Sequence, residues 1–310
     1  MKTTTQSASM PIKKKGFGFY LKRDWQLYSL VAIPLAFIIV FKLLPLLGLV
    51  IAFMDYNPIL GFSGSEFVGL EVFKEVFSSK DFFVALRNTI VLNVCDLICG
   101  FPMPIILAIL LNEISCKWYK KLTQTILYLP HFLSWVIIAG IAYQLFSPVT
   151  GIVNVMMGTQ IPFLTEKWHW AISYVLLAVW QSMGWGTIVY LAAITGISAD
   201  LYEAAAIDGA GRWGRIWHVT LPGVKPTVIV MLIMALGRLM GSNFERVQVL
   251  SNTNVTDFSE VIATYVYRVG LGSNRFNVST AVGLFQSLVG LVLVLTSDRV
   301  SKALGENGLI

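Results

Sequence analysis

The sequence predicts an all-α polytopic membrane protein with six transmembrane helices. Three observations carry this reading. Of 310 residues, 56% are hydrophobic and only 13% charged, whereas a soluble domain carries roughly a quarter charged residues. The apolar residues gather into six runs, each near the ~20 residues needed to cross a bilayer. A single polar, helix-forming stretch, residues 201–222, separates the fourth run from the fifth. The net charge of +6 fits Lys and Arg retained on one side of a membrane better than nucleic-acid binding, for which no motif is present.

In chain order, residues 1–26 are polar and basic (Lys13, Lys14, Lys15) and are expected to be partly disordered. The first span is expected at 27–54, with Pro34 and Pro45 as kinks and Lys42 as an interruption. No small-residue cleavage site ends it, so it reads as an uncleaved span. The other spans are expected near 92–111, 122–146, 169–197, 226–242 and 280–296. The third holds Pro130 and His131, and the fifth holds the small-xxx-small pair Gly237 and Gly241. Residues 55–88, 147–168 and 243–279 read as loops. From residue 27 to 310 the chain reads as one membrane domain, with no internal repeat and no separate soluble domain.

Charge sets the orientation. The N-terminal segment, the 112–121 loop, the 198–222 loop and the tail hold about fourteen Lys and Arg, against about seven in the remaining loops. The positive-inside bias places both termini and the 198–222 loop in the cytoplasm. Cys95 and Cys99, one turn apart in an apolar run, read as packing residues. His131, His169 and His218 are scattered, so no metal site is expected.

The polar stretch LYEAAAIDGAGRWGRIWHVTLP has a helical grammar. Asp200 is placed to cap a helix, with Glu203 completing a capping box. Ala204, Ala205 and Ala206 are strong helix formers. Gly209 and Gly211 permit a break, after which residues 212–219 form a second short helix and Pro222 opens the next span.

Glu203-Ala204-Ala205, then Gly209 after three residues, then Val219 and Leu221-Pro222, resembles the EAA loop of the permeases of binding-protein-dependent ABC importers. Asp208-Gly209-Ala210 and Thr220-Leu221-Pro222 resemble the carbohydrate-uptake branch. Val219 departs from the usual Ile by one methylene. Phe41-Lys42-Leu43-Leu44-Pro45, residues 52–58, residues 68–73, Asn88-Thr89 and residues 264–268 are similar to the Gram-positive subgroup that handles complex oligosaccharides.

The resemblance implies a multi-pass permease in a bacterial plasma membrane. Its implied partners are a second, similar permease, a cytoplasmic ATPase dimer and an extracellular, lipid-anchored sugar-binding protein. The chain contains no Gly-Lys pair and hence no P-loop, so it is read as a transport subunit and not an enzyme. It has no cofactor of its own, ATP and Mg belonging to the ATPase. Glu203, Ala204, Ala205, Asp208, Gly209, Leu221 and Pro222 are the expected coupling residues. Glu203 has a second reading, that it only caps its own helix. Trp213, Ile216 and Trp217 are expected to hold the loop against the ends of the spans.

Lys42, Asp96 and Arg238 are charges inside spans and so are candidates for function. An Asp96–Arg238 pair, plain packing roles and substrate contact all stand open, as do snorkelling and a partner contact for Lys42. A sugar site needs aromatic faces and hydrogen-bonding groups. Trp180, Gln181, Trp185, Arg238, Asn243, Phe244 and Glu245 offer that chemistry, although Trp and Tyr also anchor spans at membrane interfaces. A gradient-driven carrier would need a relay of acidic groups, and Asp96 alone lies within a span. A membrane-embedded enzyme or receptor would need a catalytic or metal motif, and no HExxH and no nucleophile elbow occurs in the spans. Neither alternative accounts for the 201–222 stretch.

Overall fold

The computed structural model describes residues 22–241, 243–303, 305 and 308. Most of the expected N-terminal segment, 1–26, therefore lies outside the described residues. The chain divides into a unit ending at Val50 and a second beginning at Ile51. The first unit holds α1 (Trp25–Ile38), which continues through a π-helical turn, Ile39–Leu43, into the 3₁₀ segment Leu44–Phe53, whose last three residues belong to the second unit. Pro34 lies within α1 and Lys42 within the π turn.

In the second unit, β1 (Met54–Asp55) pairs antiparallel with β2 (Glu66–Phe67). The helix α2 (Glu71–Ser78) follows, with Val72 and Val76 buried. Then α3 (Lys80–Gly100) and α4 (Pro102–Asn112) form one apolar rod. It starts twelve residues before the expected span at 92–111, because Ser79 caps it by accepting from the Phe82 N–H (3.4 Å). The expected third span is broken, with Lys117–Phe132, which contains α5 (Lys117–Tyr128), meeting α6 (Trp135–Phe146) at 101°. Pro130 and His131 lie in the 3₁₀ turn before the break, and Ser134 starts α6 by accepting from the Ile137 N–H.

The fourth span is α7 (Lys167–Thr195), capped by Glu166. The fifth belongs to a continuous helical stretch, Arg212–Gly237, whose membrane part is α9 (Leu221–Gly237) once α8 (Ala199–Ile207) has been passed. The sixth, α12 (Phe276–Ala303), is longer than the expected 280–296. Residues 243–279 are not an open polar loop. They fold into α10 (Phe244–Leu250), the turn Thr256–Ser259, and α11 (Ile262–Tyr267). Arg246, Val247 and Leu250 of α10 are buried.

Three apolar clusters hold this unit. One joins Val76, Phe82, Ile262 and Val278. A second surrounds Trp170, whose indole N–H donates to the Leu250 carbonyl (2.8 Å), with Leu92, Ala142 and Val247. A third joins Ala108, Tyr190, Ile194 and Val224. Gly237 lets α12 approach, since a Cβ there would meet Val294 Cγ2 at 2.3 Å. Gly241 faces its own turn instead, the carbonyl of Arg238. Glu75 and Arg275 pair side on at 2.5 Å, and that hydrogen bonding holds the Glu75 carboxyl below its ordinary range and raises Arg275.

Candidate functional site

Two features stand out from an otherwise apolar bundle: a polar cluster among the spans, and the helical knob between spans four and five.

The cluster is centred on Asp96 and Arg246. Asp96 lies on α3, one turn after Asn93, and both face α10. The Arg246 guanidinium grips the Asp96 carboxylate with two donors, Nη2 to Oδ2 and Nη1 to Oδ1 (3.3 Å). It also lies over the ring of Tyr174 at 3.7 Å and faces Trp135 at 5.4 Å. Asn243 donates to Asn93 Oδ1 (2.9 Å) and to Asp96 (3.4 Å), and Asn93 donates to the Leu239 carbonyl (2.7 Å). Arg246 is 4% exposed and Asp96 22%, so the pair is largely desolvated but its acid touches a cavity of about 220 Å³. Gln181, Ser182, Trp135 and Asn243 share that cavity. It is a small chamber lined by hydrogen-bonding groups inside a hydrocarbon-matched bundle.

The Asp96–Arg238 pair, one of the readings open from the sequence, does not form among the described residues. Arg238 donates to the Met234 carbonyl of its own helix (3.4 Å), and Arg246 takes the carboxylate because α10 folds back into the bundle. Arg246 was not among the candidate residues. Arg246 stands between Glu245 and Val247 in a stretch that reads as a loop, and no local signal in the sequence marks it.

Of the candidate pathway residues, Gln181 and Asn243 meet at the cavity. Trp185 lies one turn from Gln181 and stacks on His131 at 4.7 Å, while Gln181 donates to the His131 carbonyl (3.4 Å). Trp180 faces elsewhere, into an apolar groove with Ile138, Ile141 and Leu176. Phe244 packs against Tyr267 at 5.1 Å, and Glu245 is exposed.

In the knob, Ser198 rather than Asp200 is the cap, accepting from the Asp200 N–H (3.3 Å). Glu203 is therefore in the second turn, too late for a capping box, and is exposed with no hydrogen-bonded partner among the described residues. The helix α8 closes on Gly209 at φ +78°, with Gly209 N–H donating to Ala206 (3.1 Å) and Ala210 N–H to Ala205 (2.8 Å). That is the Schellman arrangement, in which Asp208 is the last helical cap and glycine takes the left-handed turn. The expected second helix does not end before the span. Residues 212–215 pass through a π turn, Ile216–Thr220, directly into α9, at whose start Leu221 and Pro222 stand. Tyr202 and Thr220 share a hydrogen bond (3.0 Å) that ties α8 to this turn. Ile216 is buried as expected, but Trp213 and Trp217 are exposed.

Membrane-crossing helices around a polar chamber, with a rigid knob at one end, are the parts of a membrane transport subunit. The chain belongs to the family described as the binding-protein-dependent transport system inner membrane component, which it matches over residues 100–305. It is a multi-pass permease subunit of that class and not an enzyme. Two relatives come from Bacillus subtilis (strain 168). Protein LplB is 41% identical over the whole of both chains. The polygalacturonan/rhamnogalacturonan transport system permease protein YteP is 42% identical over 96% of this chain and 94% of its own. Among solved structures, a bacterial alginate ABC transporter in complex with an alginate pentasaccharide-bound periplasmic protein contains a chain that is 38% identical. The TM-score is 0.85 over 94% of this chain and 99% of that one.

Proposed function

We propose that this chain is one of two similar permeases in a bacterial ATP-driven importer of oligosaccharides, working by alternating access. The observation that carries the coupling part is the knob. Leu201, Ile207, Trp213 and Trp217 are between 56 and 87% exposed, beside the Glu203 carboxylate, which has no hydrogen-bonded partner among the described residues. An apolar ridge with a free charge, held rigid by Gly209 and the Tyr202–Thr220 bond, is the shape that seats in a groove of a partner. The partner in this reading is a cytoplasmic ATPase dimer, which holds ATP and Mg and performs hydrolysis. Ala204 and Ala205 allow close approach, and Leu221 and Pro222 pass the motion into α9.

The sugar part is supported by relatives named for polygalacturonan and rhamnogalacturonan, and for arabino-oligosaccharides. It is also supported by the hydrogen-bonding chamber of Asp96, Gln181 and Asn243, with Trp185 nearby. An extracellular, lipid-anchored sugar-binding protein delivers the substrate, and both termini lie in the cytoplasm. A gradient-driven carrier is disfavoured, because the Asp96 carboxylate is held by Arg246 rather than standing free.

The test is affinity capture of the ATPase from membranes co-expressing this chain, a partner permease and the ATPase, together with sugar-stimulated hydrolysis. Glu203→Ala and Gly209→Pro are expected to lose capture or stimulation, since Pro cannot adopt positive φ. Normal coupling by both variants would sink the docking role.

A further inference from the structure

The largest cavity among those described lies where α3 and α7 both begin, its Arg87 about 13 Å along α3 from Asp96 of the chamber. Its volume is about 800 Å³, and Lys80, Arg87, Lys167, Asp257 and Phe258 line it. Lys80 and Arg87 are seven residues apart, on one face of α3 and about 10 Å apart along it. Arg87 is fixed by donating to Asn88 Oδ1 (2.9 Å) and to the Asp257 carbonyl (3.4 Å), yet stays exposed. It has no carboxylate partner among the described residues, and neither do Lys80 and Lys167. Arg268, also at the wall, bridges Glu260 (2.7 Å) and Asp81 (3.3 Å). The lining thus holds Lys80, Arg87, Lys167 and Arg268 against Asp81, Asp257 and Glu260, one positive charge in excess.

The rod Lys80–Asn112 has 33 residues, about 50 Å long against a hydrocarbon layer of ~30 Å, so part of it extends past that layer, and its charged residues Lys80, Asp81 and Arg87 gather at the cleft end. The volume is that of a small-molecule pocket and not of a flat protein-docking face. The lining is mixed. Cations suit carboxylates, Arg87 through Nη1, since its Nε and Nη2 already donate to Asn88 and Asp257. Asp257 and Thr256 suit hydroxyls. Phe258, set edge-on to Trp168 at 5.5 Å, offers an apolar face for a sugar ring. A cleft of one excess sign also concentrates ions of the other.

We infer that this cleft is an outer subsite for a sugar acid, a uronate-bearing oligosaccharide held by its carboxylates before it enters the bundle. The inference rests on the importer reading and its orientation. The experiment uses the whole complex in nanodiscs and two probes, tri-galacturonate and its methyl ester, which keeps the rings and hydroxyls but has no charge. Binding is measured by calorimetry at two salt concentrations. The acid is expected to bind at least tenfold tighter than the ester and to weaken with salt. Lys80→Gln with Lys167→Gln should weaken it roughly fivefold to tenfold, while Lys74→Gln, on the exposed surface of α2, leaves it unchanged. Equal binding of acid and ester, no binding of either, or an unaltered double variant overturns the subsite. So does a double variant that changes only the concentration of sugar-binding protein needed to activate hydrolysis, because the cleft would then be a protein contact. Failure of the importer reading is separate: it appears as absence of sugar-stimulated ATP hydrolysis in the unaltered complex.

Discussion

Arg246 shows how much one side chain can decide in an apolar bundle. Its carboxylate partner is on α3, its stacking partner Tyr174 on α7, and Trp135 is the first residue of α6. Removing one member of a buried ion pair leaves the other charge desolvated and uncompensated, at a cost of about 3 kcal/mol or more. Replacing both by apolar groups is often close to neutral. Arg246→Met or Asp96→Leu alone is therefore expected to lower the thermal stability of the detergent-solubilised protein markedly, and the two together to recover most of it. If the double variant is as unstable as the single ones, the pair is not what joins these helices. The partner of Asp96 was not legible in the sequence. Arg238 lies at the end of an apolar run, where a span-counting argument looks, whereas Arg246 follows the polar residues Asn243 and Glu245 that mark a loop. Only the return of α10 into the bundle, a tertiary event, brings Arg246 to the acid.

At the scale of elements, the apolar runs located the helices but not their ends. Residues 80–91 include Lys80 and Arg87, which lower hydropathy without weakening a helix, so α3 extends three turns beyond its hydrophobic stretch. Close approach is better hidden still. Gly184 lies among good span-forming residues and looks ordinary, yet a Cβ there would come within 1.9 Å of the Leu127 carbonyl oxygen, a backbone atom of α5 that cannot turn aside. Gly184→Ala must push α5 and α7 apart, and overpacking of this kind costs about 1–3 kcal/mol. Gly140→Ala, with nothing within 4 Å, is the matched control and should be neutral or slightly stabilising. Thermal unfolding of the two variants side by side measures the difference, and equal stability would show that the contact relaxes freely. The knob was legible in greater detail, because Gly209 and the alanine run are local signals. Its cap was misread because Ser198 and Asp200 both suit that role, and the Ser198 hydroxyl is the one that accepts the hydrogen bond.

For the whole molecule, the broken third span decides topology. If Lys117–Phe132 and Trp135–Phe146, bent by 101°, together cross the bilayer, there are six spans. If they dip in and return, there are five, and everything after them changes sides. The cleft provides an argument. Lys80 and Lys167 open the helices on either side of the bent pair and line the same cavity, so both helices start on one side of the membrane. The rod ending at Asn112 then finishes on the opposite side from the start of α7, and the intervening pair must cross. Six spans put residue 59 and the knob on opposite faces, and from the Lys and Arg bias the knob is expected inside. Thiol labelling tests both statements. With Cys95, Cys99 and Cys116 changed to Ser, a single Ile59→Cys or Ile207→Cys is introduced, each at a highly exposed position. A membrane-impermeant maleimide is expected to label the first in intact cells and the second only after permeabilisation. Labelling of both from outside would mean that the bent pair turns back, and the reversed pattern would place the knob beyond the reach of any cytoplasmic ATPase.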